Sequence, residues 1–207
     1  MSEKELKNLY VIADNISIHY EPYLKDFISE YYNYDRKGDS LERTMNSFDK
    51  NGGDSSMVLA YLNNLVSKGF HTDILLLNCG LHDIKVIDPE NETRQISAED
   101  YRQNLVEIAE IAKNCSEKTI WVKTTPIDDE HHRKHSYSFQ RHNADVIKYN
   151  DIAEEVFSEA GLEVLDLYTF TVKLGKELYC DHVHFDDSIR ELQGAFIAGY
   201  LISSFSE

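Results

Sequence analysis

The segment of this sequence best suited to proton transfer is Asp181-His182-Val183-His184. An aspartate three residues ahead of a histidine can fold back in a short loop and accept from imidazole Nδ1. That fixes the tautomer and leaves Nε2 facing a site as a general base. The same residues also suit a plainer purpose, a solvated acidic loop ahead of the last helix with Asp187 or Ser188 as N-cap. Gly80-Leu81-His82-Asp83 follows the apolar run Ile74-Leu75-Leu76-Leu77. Glycine permits a sharp turn there, and a neutral His82 could donate to a developing oxyanion or simply satisfy nearby carbonyls.

Three further clusters stand out. Asn51-Gly52-Gly53-Asp54-Ser55 exposes backbone N–H groups before a helix that Asp54 or Ser55 can cap. No Gly-Lys-Ser/Thr follows, so it is not a phosphate-binding P-loop. Asp14-Asn15 ends a strand and begins a helix, where Asn is a good N-cap and Asp14 suits the positive helix end. His131, His132 and His135 crowd a polar stretch with Arg133 and Lys134. Three imidazoles can bind zinc, but adjacent cations oppose a divalent ion, so an exposed loop without metal is expected.

Regular elements must bring these clusters together. Leu9–Ala13, Asp73–Asn78, Thr119–Lys123 and Glu163–Leu167 read as buried strands, with a further strand near Tyr34–Lys37. Continuous apolar runs suit parallel strands covered on both faces. Helical spacing marks Ser17–Tyr32, Ser56–Ser67, Ala98–Lys113, Asn143–Glu159 and Ile189–Phe205. The alternation predicts an α/β fold, a doubly wound, flavodoxin-like parallel sheet with helices on both faces. Sites in such sheets form beyond the C-terminal ends of the strands, which is where the polar clusters recur.

Composition narrows the possible partners. The 207 residues, 42% hydrophobic, suffice for one domain spanning 1–207. Lys and Arg number 21 against 37 Asp and Glu, a formal net charge of −16 that repels nucleic-acid backbones and anionic membranes. No apolar run approaches the ~20 residues of a membrane span, and the charged N-terminus lacks a secretory signal, so a cytoplasmic protein is expected. Cys79, Cys115 and Cys180 are an odd, widely spaced set without a CxxC pair, which argues against a disulfide framework or zinc knuckle. Cys79, inside an apolar run, is expected to be buried.

Taken in order, Ala13-Asp14-Asn15-Ile16-Ser17, Gly52-Gly53-Asp54-Ser55, Gly80-Leu81-His82-Asp83 and Asp181-His182-Val183-His184 resemble the SGNH (GDSL-like) hydrolase superfamily across nearly the whole chain. The resemblance implies a three-layer α/β/α fold and a Ser–His–Asp hydrolase of carboxylic esters, often short acyl or acetyl groups on carbohydrate, with no cofactor. It makes His184 the base and Asp181 its orienter. It places the backbone N–H of residue 15, the Gly53 N–H and His82 in the oxyanion hole, with Asn78 as a second side-chain donor. Two positions depart from the pattern: Ala13 replaces a glycine, and Asn15 stands where the family keeps its nucleophilic serine. An amide has its lone pair delocalised and cannot form the usual acyl-enzyme. Ser17, two residues into the helix, should point elsewhere. The sequence therefore supports an ester hydrolase with an altered nucleophile, or a binding protein on the same scaffold that holds an acyl or glycan ligand without turnover. A nucleotide-binding flavodoxin-like module is the weaker third reading, since no phosphate-cradling glycine loop follows the first strand.

Overall fold

The computed structural model describes residues 6–41, 47–136 and 138–204. In chain order the elements are β1 (Lys7–Ile12), α1 (Asn15–Ile28), β2 (Tyr32–Arg36), α2 (Ser47–Lys50), α3 (Ser55–Ser67), β3 (Thr72–Leu77), β4 (Val86–Asp88) and β5 (Thr93–Arg94). There follow α4 (Ala98–Cys115), β6 (Ser116–Val122), α5 (Asp129–His135), α6 (Asn143–Glu159), β7 (Glu163–Leu165), α7 (Leu167–Lys173) and α8 (Asp187–Ser204). Five strands form one sheet in the order β2-β1-β3-β6-β7, with every neighbouring pair parallel. Helices α1, α8 and α7 pack with one another, as do α3, α4 and α6, giving the two helical layers of a three-layer α/β/α fold. The architecture is the doubly wound, flavodoxin-like one that the strand–helix alternation predicts.

The central strands are apolar on both faces because both faces are covered. Val11, Ile12, Ile74, Leu75, Leu76, Leu77, Ile120 and Trp121 are all fully buried. Cys79 is buried too, and the three cysteines are free thiols. Chain direction fixes where the loops meet. Ile12 pairs with Leu77 and Leu77 with Trp121, so the residues after β1, β3 and β6 leave the sheet at one edge. The chain winds from β1 to β2 on one side and returns to β3 on the other, which opens a crevice between the ends of β1 and β3.

Most predicted elements differ from the observed ones by a few residues at their ends. The first helix begins at Asn15 and stops at Ile28, because residues 29–31 turn the chain into β2, which starts at Tyr32. The final strand ends at Leu165, where Asp166 caps α7 and accepts from the Thr169 N–H. Phe205, the predicted end of the last helix, lies outside the described residues. The antiparallel β4–β5 pair, α2, α5 and α7 go beyond the predicted set. Strands of three and two residues are too short to show a period, and α5 carries no apolar residue to mark one. Among the described residues no helix is long and apolar enough to cross a membrane.

Candidate active site

The crevice is built from the turn after β1 outward. Asp14, not Asn15, caps α1: its carboxylate accepts from the Ile16 N–H at 3.0 Å. Asn15 is thus the first helical residue, and its own N–H has no intrahelical acceptor. Burial raises the Asp14 carboxyl above its usual range, against the opposing pull of the Ile16 N–H and of His184 and Arg141. The Ala13 carbonyl accepts the Gly52 N–H at 2.8 Å. A Cβ at residue 52 would stand 3.1 Å from that oxygen, so a glycine lets the second loop press against the first.

The turn after β3 supplies His82. Gly80 holds φ +148, and a Cβ there would meet Thr124 Oγ1 at 2.5 Å, so the chain turns tightly beneath the β6 end. Asp83 anchors the turn by accepting the Ser55 N–H of α3 at 2.8 Å. Burial lifts the Asp83 carboxyl to about 7. His82 stands between two donors, Lys85 Nζ at 3.0 Å from Nδ1 and Asn51 Nδ2 at 3.2 Å from Nε2. Burial, then the Lys85 and Arg141 charges, push its pKa down to about 4, so the ring is neutral near pH 7. A neutral imidazole has one acceptor nitrogen, so it can satisfy only one of those donors. When Lys85 donates to Nδ1, the proton sits on Nε2, the tautomer that an oxyanion donor requires.

The last loop carries the Asp181–His184 pair. Asp181 Oδ2 lies 2.7 Å from His184 Nδ1, while Oδ1 accepts the backbone N–H groups of Val183 (2.9 Å) and His184 (2.8 Å). Burial alone would raise the Asp181 carboxyl, but those three donors outweigh it and hold the group well below the usual range. The carboxylate therefore fixes the proton on Nδ1 and leaves His184 Nε2 as acceptor. The imidazole is stacked on His19, 4.3 Å between centroids and 10° between planes. Burial, followed by the repulsion of His184 and Arg190, lowers His19 to about 4.

Asn15, His82 and His184 line one cavity of about 180 Å³, together with Asp14, Lys85 and Arg141. Asp181 stands behind His184. Gly53 is one step removed: its N–H donates to Asn51 Oδ1 at 2.9 Å, and it does not line the cavity. In this conformation that N–H is engaged, a correction to its simple placement in an oxyanion hole. Asn78 is likewise engaged, donating to the Val122 carbonyl at 2.9 Å. The Ser17 hydroxyl donates to the Asp14 carbonyl (2.6 Å) and accepts from Arg36 (2.9 Å), so it is committed beneath the helix.

The architecture is shared with solved esterases. A lipase/acylhydrolase from Enterococcus faecalis superposes with a TM-score of 0.67 over 96% of this chain and 97% of its own, at 20% identity. A GDSL-like lipase from Bacteroides thetaiotaomicron gives 0.65 over 96% and 89%, at 14% identity. An acetylxylan esterase from Geobacillus stearothermophilus gives 0.66 over 98% and 95%, at 12% identity. No protein-family model matches the sequence, and no curated protein matches it either. The chain has the SGNH hydrolase fold.

On this SGNH scaffold the histidine-rich stretch departs from expectation. His131–His135 is not an exposed loop but most of α5, capped by Asp128, which accepts the His131 N–H at 2.8 Å. His132 is fully buried. The helix buttresses the Asp181–His184 loop from behind: His131 Nε2 reaches the Asp181 carbonyl at 2.8 Å and His132 Nδ1 the His182 carbonyl at 2.9 Å. Among the described residues no group of three His, Cys, Asp or Glu is placed to hold a metal ion.

Several site residues escaped the motif reading. His19 was accessible in principle, since it stands four residues beyond Asn15 on the same helix face. Lys85 follows His82 by three residues within one turn, a spacing that also brings side chains together. Arg141 carried no signal: its Nε donates to the Leu81 carbonyl at 2.5 Å across a separation of 60 residues.

Proposed function

We propose that this protein is a carboxylic-ester hydrolase of the SGNH type, acting on short acyl or acetyl groups of small-molecule or carbohydrate esters, with the nucleophile position altered to Asn15. The observation that carries the reading is the single cavity bounded by Asn15, His82 and His184, with Asp181 2.7 Å behind the imidazole. The named similarities support it, because all three are called lipases, acylhydrolases or esterases, and a serine-to-alanine form of the Geobacillus enzyme is called a catalytic mutant.

The geometry suits direct hydrolysis. His184 Nε2 takes a proton from water as the water oxygen attacks the ester carbonyl. The oxyanion that forms accepts from the Asn15 N–H, at the positive end of α1, and from His82 Nε2–H once Asn51 turns away. The proton on His184 then passes to the leaving alkoxide, so ester and water become acid and alcohol. No metal or cofactor enters the scheme. A serine would add the covalent route, which in related triads is worth several powers of ten.

Asn15 itself favours a second reading, a crevice that binds an acyl or glycan ligand without turning it over. One experiment separates the two. Rates on an activated acetyl ester are measured for the parent protein, Asn15→Ser, and Asn15→Ser with His184→Ala. The expected result is a gain of ~10³-fold or more in the single variant, abolished in the double. A folded Asn15→Ser protein no faster than its parent across several acyl lengths would overturn the hydrolase reading in favour of the binding one.

A further inference from the structure

The crevice contains two cations, neither of which touches the reacting atoms in the ester scheme: Arg141 has no part in it, and Lys85 acts only through His82. Arg141 is 5% exposed, its Nη1 is buried without a hydrogen-bond partner, and it lines the cavity beside Asn15 and His184. Burial lowers it to about 10, which leaves it charged at neutral pH. Lys85 lines the same wall, with its ammonium against His82. Neither cation has a carboxylate oxygen within 4.0 Å among the described residues; Asp14 acts on Arg141, and Asp54 and Asp83 on Lys85, only from farther away.

Besides the Leu81 carbonyl on Arg141 Nε and the His82 ring on Lys85 Nζ, both cations lie against one aromatic ring. Arg141 Cζ lies 4.5 Å from the Phe139 ring centroid, and Lys85 Nζ lies 5.2 Å from it. Cation–π attraction offsets part of the desolvation, but it leaves the guanidinium and ammonium hydrogens without an anion. Asp14 lines the same cavity, but among the described residues no carboxylate closes onto either cation as an ion pair. Two uncompensated cations converging on a concave site, beside the N-terminus of a long helix, form a receptor for an oxyanion. Lys85 and Phe139 also line a larger cleft of about 550 Å³ with Gln95, Ser138 and Gln140, where the rest of a bulky ligand would extend.

We infer that Arg141 and Lys85 form an anion-binding subsite within the crevice, so the ligand is an ester or acyl compound that carries a carboxylate or phosphate close to its acyl group. This deepens the hydrolase reading and rests on it for the role of the site, but binding of the anion requires no turnover. Its test is therefore independent of the rate experiment on Asn15→Ser.

The test is calorimetric titration of the parent protein at fixed ionic strength with succinate, with inorganic phosphate and with neutral succinamide. At least one of the two anions is expected to bind with a Kd of about 1 mM or tighter, and succinamide is not. The tighter anion identifies the acid group of the ligand. Arg141→Gln should weaken binding by about ten- to a hundredfold, and Lys85→Gln by about tenfold. Lys85 makes no backbone-holding side-chain bond, so Lys85→Gln keeps the test open should Arg141→Gln fail to fold. The subsite is overturned if neither anion binds the folded protein, if succinamide binds as well as succinate, or if Lys85→Gln binds the anion unchanged. A protein that binds anions but gains nothing from serine at residue 15 would keep the subsite and lose the hydrolase reading.

Discussion

Among the described residues of this acidic protein two arginines are buried, and the fold treats them in opposite ways. Arg36, fully buried, gives Nη1 to Glu21 at 3.0 Å and Nη2 to Ser17 Oγ and the Lys50 carbonyl; its Nε alone lacks a partner. It ties the first turn of α1 to the loop before α3. Arg141 has a backbone carbonyl on Nε, an aromatic ring against its plane, and no carboxylate. A buried charge costs several kcal/mol unless it is paired, so a fold that needs an arginine for cohesion supplies the anion itself. A fold that omits the anion leaves the place for one. The contrast distinguishes a side chain that holds the crevice together from one that faces what enters it.

Breaking the internal pair should have the largest effect. Glu21→Gln leaves Arg36 buried without its counter-charge and is expected to cost about 3–5 kcal/mol, read as a lower urea midpoint at unchanged slope. A loss below about 1 kcal/mol would erase the distinction between the two arginines. Arg141→Met removes a charge that has no ion pair to lose. Its stability should stay within about 1 kcal/mol of the parent, the lost bond to Leu81 being set against relief of desolvation.

The pH dependence sharpens the same contrast, because His82 and His19, unlike His184, have no acid paired with them among the described residues. His82 and His19 are both held down to about 4 in the folded protein, against 6.5 for the free side chain. The unfolded chain therefore binds more protons between those values. Their contribution is complete above pH 6.5 and is lost as pH falls from 6.5 toward 4. Asp181 adds a later loss: its depressed pKa means that its contribution, present above the ordinary carboxylate range, fades as pH falls below about 4. Asp83, lifted to about 7 by burial, works in the opposite sense over the same range, so the histidine share is read by difference in thermal unfolding from pH 8 to 4. Between pH 6.5 and 4 the parent should lose Tm relative to His82→Gln; curves that stay parallel would place the proton uptake elsewhere. The smallest effect is expected at Asn15→Ser, whose stability should match the parent within about 0.5 kcal/mol, because Asp14 rather than residue 15 caps α1.

By itself the sequence determined the layered α/β fold and the dyad. Runs such as Ile74–Leu77 are apolar because strands between two helical layers have no wet face, so period and length are written locally. Asp181 and His184 are three residues apart, so their hydrogen bond is a property of one short loop. Sequence alone also shows an amide at residue 15, and no environment gives an amide a hydroxyl oxygen. Tertiary structure decided which backbone donors are free. Gly53 and Asn78 have the right groups, but Asn51 and the end of β6 claim them. It also turned His131–His135 from a polar stretch into a buttress, because a helix of polar residues is stabilised by what it touches rather than by its own period. Above all it decided Arg141. Whether a guanidinium is neutralised depends on every carboxylate within a few ångströms, and those come from segments far apart in the chain.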